Sequence, residues 1–165
     1  MNASSNPGLL WWAVPGVVAG MPMPFIHPER RIDGGGSLES YDDELAVLRQ
    51  AGVRAIVSLL NNPSDAPVYE SAGFHFLCLP VPDGQPPIRE QVYRFVSFMA
   101  EQRAAQRPVA VHCEGGLGRT GTMLAAYWIV HGETAEAAIR RIRAVEPGAI
   151  ETVQQIQFLK NLAGS

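Results

Sequence analysis

A cysteine and an arginine flank a glycine-rich segment in the C-terminal half of the 165-residue chain. Cys113 and Arg119 are separated by five residues: Glu114, Gly115, Gly116, Leu117 and Gly118. Glycines allow the positive φ angles and the close backbone approach that a tight loop of N–H groups requires. Such a loop, ending at a helix N-terminus, binds anions, and an arginine at its end can donate two N–H groups to two phosphate oxygens. The spacing therefore predicts a phosphate-binding loop.

Cys113, at the start of this loop, is the candidate nucleophile. A helix N-terminus and a nearby guanidinium both favour the thiolate, which is the reactive form of cysteine. Thr120 follows the arginine, and we expect its hydroxyl to hydrogen-bond the sulfur and stabilise it as a leaving group. His112 precedes the cysteine, and we expect its ring to bond loop carbonyls and hold the shape of the loop. Glu114 is expected to face solvent and to contribute only its backbone N–H.

The same segment also admits less specific interpretations. A lone cysteine before a glycine-rich turn is usually a packed core residue, and the glycines could form a plain turn between a strand and a helix or a nucleotide cradle. The segment is not GxxxxGK[ST], and no GxGxxG precedes an acidic residue at the spacing of a ribose-binding site. Cysteine, five-residue loop, arginine and hydroxyl together favour a phosphatase site.

Strands that alternate with helices are predicted to position this loop. Periodicity and turn residues predict strands at 10–14, 17–19, 53–60, 74–81 and 109–112, and helices at 38–51, 66–72, 88–106, 120–130, 134–145 and 152–162. This alternation predicts a single α/β domain with a central, largely parallel twisted sheet and helices on both faces. We expect residues 1–7 to be a loose N-terminus and residues 8–165 to form the catalytic domain. The glycine-rich loop then lies at the carboxyl end of a strand, where ligands bind in such sheets.

The segment HCEGGLGRTGT matches the HCx5R[ST] signature of the protein-tyrosine phosphatase superfamily. The wider chain resembles the small atypical dual-specificity phosphatases. The resemblance extends over Trp12…Pro15-Gly16…Ala19-Gly20, Gly52-Val53…Val57-Ser58-Leu59, Pro82-Asp83, Thr122-Met123-Leu124-Ala125 and Pro147-Gly148-Ala149-Ile150-Glu151-Thr152. It implies a phosphocysteine intermediate, an aspartic acid on a mobile loop, and neither metal nor other cofactor.

Asp83 is the candidate general acid. It follows the predicted strand 74–81, 30 residues before Cys113, in a loop like the one that carries the acid in the family. A carboxyl group there can protonate the leaving oxygen and, as a carboxylate, take a proton from water in the second step. Asp-Gly is also a common turn sequence, and Asp65, which follows another predicted strand, is the main rival.

The water of the second step must also be positioned. In the family a glutamine or glutamate near the last helix often does this, and Gln155 and Glu151 are the leading candidates, with Gln154 beside them. Helix capping and solvation are the competing explanation, because Glu151 and Thr152 also suit a helix start.

Composition limits the other possibilities. The net charge is −3, from 13 basic and 16 acidic residues, without a basic run, so we expect no nucleic-acid or membrane partner. Prolines interrupt the apolar segment 9–26, which therefore predicts neither a membrane helix nor a secretory signal. Two cysteines do not make a disulfide framework. We interpret Cys78 as a core thiol or as a partner in a protective disulfide, and expect a cytoplasmic monomer.

The expected substrate is a phosphorylated protein or peptide. Phosphotyrosine in a protein or peptide is favoured, and phosphoserine and phosphothreonine follow if the cleft is shallow. A loop without lysine disfavours phosphoinositides. An RNA 5′-phosphatase is disfavoured by the acidic charge. A phosphate-binding module without turnover is disfavoured by the presence of Cys113, Arg119 and Asp83 together.

Overall fold

Five short strands form one mixed sheet in the computed structural model, which describes residues 10–24, 38–61 and 66–165. They are β1 Trp11–Val14, β2 Val18–Met21, β3 Ala55–Ser58, β4 His75–Cys78 and β5 Val109–His112. Their order in the sheet is β1-β2-β5-β3-β4. β1 pairs antiparallel with β2, and the other neighbours are parallel. The predicted, largely parallel sheet is confirmed, and β5 is its central strand.

Helices cover both faces of this sheet, as predicted. They are α1 Leu38–Gln50, α2 Ala66–Ser71, α3 Arg89–Ala104, α4 Gly118–Val130, α5 Ala135–Val145 and α6 Val153–Ala163. Alternation along β5 divides the core into two clusters. Val109 and Val111 pack with α3 to α6, whereas Ala110 packs in the cluster that includes buried residues of α1 and α2. The sheet therefore stands between four helices on one side and two on the other.

Two strands are shorter than their apolar runs predicted. The run 53–60 contains β3 only at Ala55–Ser58, and the run 74–81 contains β4 only at His75–Cys78. Residues just outside these two strands are also buried, and three of them are fully buried: Val53, Leu59 and Leu79. Apolar character reports burial, which extends past the paired residues, so the predicted strand ends were wrong. A few backbone hydrogen bonds, such as that from the N–H of Leu79 to the carbonyl of Ser58 at 2.9 Å, also continue past the strand ends.

Helix α4 begins earlier than predicted, at Gly118 instead of Thr120. The anion-binding loop and the helix are thus continuous, with Arg119 already in the first helical turn. Residues 1–7, predicted to be a loose N-terminus, lie outside the described residues. Within the described ranges, the helices are too short or too polar to cross a bilayer.

Candidate active site

The glycine-rich loop lies between the carboxyl end of β5 and the start of α4. Cys113, at its beginning, is buried with 3% of its surface exposed. Its Sγ accepts hydrogen bonds from the backbone N–H of Gly116, at 3.3 Å, and from Oγ1 of Thr120, at 3.1 Å. Hydrogen bonds donated to a sulfur stabilise its anionic form. Two donors therefore fix the sulfur at the base of the loop.

Arg119, which directly precedes Thr120, is buried, with 4% of its surface exposed. Its Nη1 donates to the carbonyl of Val81 at 2.9 Å, and its Nη2 lies 3.5 Å from Oδ1 of Asp83. Its Nε is buried and, within the part of the chain that the structure describes, has no hydrogen-bond partner. Nε and Nη2 form the edge with which a guanidinium binds two oxygens of a phosphate. Among the described residues, Nε of this edge is thus left without a partner, whereas Nη2 faces the carboxylate of Asp83.

Asp83 lies in a tight turn that follows β4. The backbone N–H of Gln85 donates to the carbonyl of Pro82 at 3.0 Å, and Gly84 has a φ of 77°. This pattern is that of a type II turn, which requires a positive φ at its third residue. The carboxylate is 82% exposed and contacts Arg119 at its inner edge. The turn therefore brings Asp83 to the mouth of the loop, whereas the rival Asp65 lies outside the described residues.

The N-terminus of α6 lies against the other side of the phosphate loop. Gln155 is buried, with 1% exposed, and its Oε1 accepts the backbone N–H groups of Glu151, at 2.8 Å, and Thr152, at 3.0 Å. Its Nε2 donates to the carbonyl of Gln85 at 3.4 Å. A Cβ atom added to Gly118 would lie 3.2 Å from this Nε2 and 2.5 Å from Oε1 of Glu151. Both candidates for water positioning therefore border the loop.

Gln154, the third residue considered for the water, is exposed on α6. Glu114 is exposed too, as expected, and its backbone carbonyl accepts the N–H of Met23 at 2.8 Å. Gly115 is likewise exposed on the rim of the loop.

His112 holds the base of the loop. Its Nδ1 lies 3.1 Å from the carbonyl of Cys113, and because a carbonyl only accepts, Nδ1 donates. Its Nε2 lies 3.1 Å from the hydroxyl of Tyr69, which donates to a neutral ring. The expected bond to a loop carbonyl is present in this geometry. Sequence reasoning missed Tyr69, which comes from α2, 43 residues earlier, and nothing local marks it.

The β1–β2 hairpin supports the loop through Trp11, a residue that the sequence analysis did not single out. Its Nε1 donates to the carbonyl of Gly116 at 3.1 Å, and its ring lies where a side chain on Gly20 would be, within 2.2 Å of an added Cβ. Gly116 itself has a φ of 76°, and an added Cβ would lie 2.3 Å from the carbonyl carbon of Met21. The loop and β2 thus make backbone contact. The feature that could have indicated this role is the pairing of Trp11 with Gly20 across the hairpin.

A third support is the segment between α5 and α6. Ile150 has a φ of 64°, unusual for a branched residue, and its N–H donates to the carbonyl of Leu117 at 3.1 Å. Arg143 donates from Nε to the carbonyl of Ala149, at 3.0 Å, and from Nη2 to that of Ile150, at 2.7 Å. Arg143 therefore holds the segment 149–150, and Ile150 in turn bonds to the loop. The sequence did not indicate this role.

Cys78 lies away from the sulfur of Cys113. The register places Cys78 beside Ser58 and Ser58 beside His112, so two inter-strand spacings, about 9–10 Å, separate Cys78 from the residue before Cys113. A disulfide needs Cα atoms within about 7 Å. This geometry favours the packed thiol over the protective disulfide.

The site agrees with what the chain is similar to. Residues 34–133 match a family model described as a DSP-PTPase phosphatase of polymorphic toxin systems. The chain is 34% identical over 155 residues to the mouse dual specificity protein phosphatase CDC14A and 32% identical over 145 residues to the Caenorhabditis elegans tyrosine-protein phosphatase cdc-14. These matches cover 93% and 87% of the chain but only 25% and 20% of the relatives. The crystal structure of Tk-PTP in its active form superposes with a TM-score of 0.76, at 28% identity, over 96% of this chain and 97% of that one.

Proposed function

Because the chain belongs to the cysteine-dependent dual-specificity phosphatase (DSP-PTPase) family, we propose that it hydrolyses phosphomonoesters through a phosphocysteine intermediate on Cys113. The observation that carries the proposal is the buried Cys113 sulfur, which accepts hydrogen bonds from Gly116 and from Thr120. Thr120 directly follows the buried Arg119, whose Nε has no partner among the described residues. A phosphate bound to that edge and to the loop N–H groups presents its phosphorus to the sulfur. The relatives span a much longer chain, so the activity is assigned here to this domain alone.

In the first step the thiolate of Cys113 attacks phosphorus. The S–P bond forms while the P–O bond to the leaving group breaks, and the carboxyl of Asp83 gives its proton to the leaving oxygen. Arg119 and the loop N–H groups stabilise the charge on the equatorial oxygens. The position of Asp83 at the loop mouth, 3.5 Å from Nη2 of Arg119, supports this role.

In the second step water attacks the phosphocysteine. The carboxylate of Asp83 takes the proton of the water, the P–S bond breaks, and phosphate leaves. Thr120 stabilises the departing thiolate through its 3.1 Å hydrogen bond. We assign water positioning to Gln155, because its Oε1 is held by two backbone N–H groups and its Nε2 borders the loop at Gly118. Glu151, which borders the same glycine, is the alternative.

The proposed substrate is a phosphorylated protein, with phosphotyrosine favoured and phosphoserine or phosphothreonine accepted. Relatives named dual specificity and tyrosine-protein phosphatases support this class. The exposed Glu114 and Glu151 at the loop rim disfavour polyanionic RNA and phosphoinositides by like-charge repulsion. We propose a monomer as the functional unit, because a single chain supplies each residue named above. Two cysteines in 165 residues, at positions too far apart for a disulfide, support a reducing, cytoplasmic compartment.

The test is hydrolysis of 4-nitrophenyl phosphate in the presence of EDTA by the native protein, Cys113→Ser and Asp83→Asn, with Cys78→Ser as the matched cysteine control. We expect activity that survives EDTA and is retained in Cys78→Ser. Cys113→Ser should abolish it, and Asp83→Asn should lower it by about 10²–10⁴-fold. Full activity of Cys113→Ser would refute the mechanism. Near-native activity of Asp83→Asn would move the acid elsewhere, with Asp65 tested next.

Substrate class is tested separately, by kcat/KM on matched phosphotyrosyl and phosphoseryl peptides and on a 5′-phosphorylated RNA. The proposal expects turnover of the peptides, with phosphotyrosine preferred. Preferential turnover of the RNA would overturn the substrate assignment while leaving the mechanism intact.

A further inference from the structure

The N-cap of α6 is bonded to the turn that carries Asp83. The hydroxyl of Thr152 accepts the N–H of Gln155 at 3.2 Å, which is the ordinary capping bond. The same hydroxyl donates its hydrogen to the carbonyl of Gly84 at 2.8 Å, across 68 residues of sequence. One hydroxyl therefore joins a helix start to the residue that directly follows the proposed acid.

The turn needs such a support, because its own side chains contribute little to holding it in place. The carboxylate of Asp83 is 82% exposed, and its ion pair with Arg119 at 3.5 Å is therefore weak. The turn is fixed instead through backbone carbonyls: Val81 accepts from Arg119, Gly84 from Thr152 and Gln85 from Gln155. The bond to Gly84 is the shortest of the three. Gly84 is also the residue that directly follows Asp83 in the sequence.

We propose that Thr152 is a positioning residue for the general acid. Its hydroxyl bonds to Gln155 and to Gly84, and it acts by fixing the peptide that follows Asp83. The proposal rests on the proposed function, in which Asp83 protonates the leaving oxygen while the sulfur of Cys113 displaces it. A displacement of the order of 1 Å in a catalytic group lowers a rate by up to about 10²-fold. Loss of the Thr152 bond should therefore weaken proton donation specifically.

Proton donation matters most for poor leaving groups. Comparing a poor leaving group with a good one therefore distinguishes a positioning role from a merely structural role, which affects both substrates alike. The value of kcat/KM reports the transfer of phosphate to Cys113 and not the later hydrolysis. Phenolate needs the proton of Asp83 much more than 4-nitrophenolate does. The measured quantity is therefore the ratio of kcat/KM for 4-nitrophenyl phosphate to kcat/KM for phenyl phosphate. General damage to binding or folding lowers both values and leaves the ratio unchanged.

The first variant is Thr152→Val, and Thr134→Val is its matched control. Thr134 is the N-cap of α5, where its hydroxyl accepts the N–H of Ala137 at 3.1 Å on an exposed surface. Both variants lose one capping bond, but only Thr152→Val loses a bond to the acid turn. We expect Thr152→Val to raise the ratio by about 5- to 50-fold and Thr134→Val to leave it within about twofold of native. An unchanged ratio in Thr152→Val overturns the proposal.

Thr152→Asp covers the case in which Thr152→Val does not fold. Its carboxylate still accepts the N–H of Gln155 but has no hydrogen for the carbonyl of Gly84. The added charge weakens the binding of both substrates alike, so the ratio still isolates proton donation. A raised ratio supports the proposal, and a native ratio overturns it.

A double-mutant cycle with Asp83→Asn separates this proposal from the proposed function. If Thr152 acts through the acid, Thr152→Val adds less than about twofold to the loss on phenyl phosphate in the Asp83→Asn background. A full additional loss there overturns the positioning role. If Asp83→Asn alone leaves the ratio native, the acid assignment fails, and the positioning role fails with it. Activity that survives Cys113→Ser is the separate failure of the phosphatase mechanism.

Discussion

The contact between the phosphate loop and β2 makes Gly116→Ala a sharp test of how the loop is built. Gly116 has a φ of 76°, and an added Cβ would lie 2.3 Å from the carbonyl carbon of Met21 and 2.4 Å from the nitrogen of Pro22. The left-handed backbone costs a residue with a Cβ about 1–2 kcal/mol. Overpacking against backbone atoms that cannot rotate away costs about 1–3 kcal/mol more. The variant should therefore lose about 2–5 kcal/mol of its free energy of unfolding.

Thermal unfolding followed by circular dichroism measures this loss. For a chain of this length each kcal/mol lowers Tm by about 2–4 °C, so Gly116→Ala should lower Tm by about 4–20 °C. Gly115→Ala is the matched control, because Gly115 is not among the positive-φ glycines and an added Cβ there has nothing within 4 Å. That control should change Tm by less than about 2 °C, since an exposed substitution away from contacts costs within about 0.5 kcal/mol.

Gly116→Ala should also change the kinetics. A loop displaced from β2 moves the N–H of Gly116 away from the sulfur of Cys113, to which it donates at 3.3 Å. The kcat/KM of Gly116→Ala on 4-nitrophenyl phosphate should fall by at least about tenfold. If the two alanine variants melt at the same temperature as the native protein, the loop does not press on β2 and the reasoning is wrong.

Two further predictions concern the other supports of the loop. Trp11→Phe keeps an aromatic ring but removes the N–H donated to the carbonyl of Gly116. It should cost about 1–2 kcal/mol in thermal unfolding and lower kcat/KM. Trp12→Phe, which changes the cluster on the α1 and α2 face, should keep kcat/KM within about twofold of native, and equal kinetic losses in the two variants would contradict the reasoning. Arg143→Met removes two hydrogen bonds to the carbonyls of segment 149–150 and should lower Tm by about 2–10 °C. A native Tm would show that the segment holds its left-handed residue unaided.

The chemistry of the site was predictable because its residues are adjacent in sequence. Cys113, Arg119 and Thr120 lie within one turn and the start of one helix, so spacing alone indicated an anion cradle with a nucleophile. The sheet was predictable for a related reason, since β5 and β3 are apolar runs bounded by turn residues. Strand ends were not, because Leu59 and Leu79 remain buried after the strands end.

The supports of the site were not predictable, because they join residues that are distant in sequence. Trp11 reaches Gly116 across 105 residues, and Gln155 reaches Gln85 across 70. Many tryptophans pack and many glutamines cap helices, so residue type alone does not indicate a long-range partner. Only the order β1-β2-β5, which places the first hairpin beside the central strand, brings Trp11 to the loop.

The position of Arg119 explains why the loop is supported from several sides. Its guanidinium is permanently charged and buried, and burying a charge is costly unless the charge is fully paired. The protein offers the carbonyl of Val81 and a largely exposed carboxylate at 3.5 Å, which contributes little. In the proposed function a phosphate that accepts from Nε and Nη2 completes the pairing, so the arrangement that would favour substrate binding is costly to the folded protein. Hydrogen bonds that Trp11, Met23 and Ile150 donate to carbonyls of the loop hold it in place against that cost.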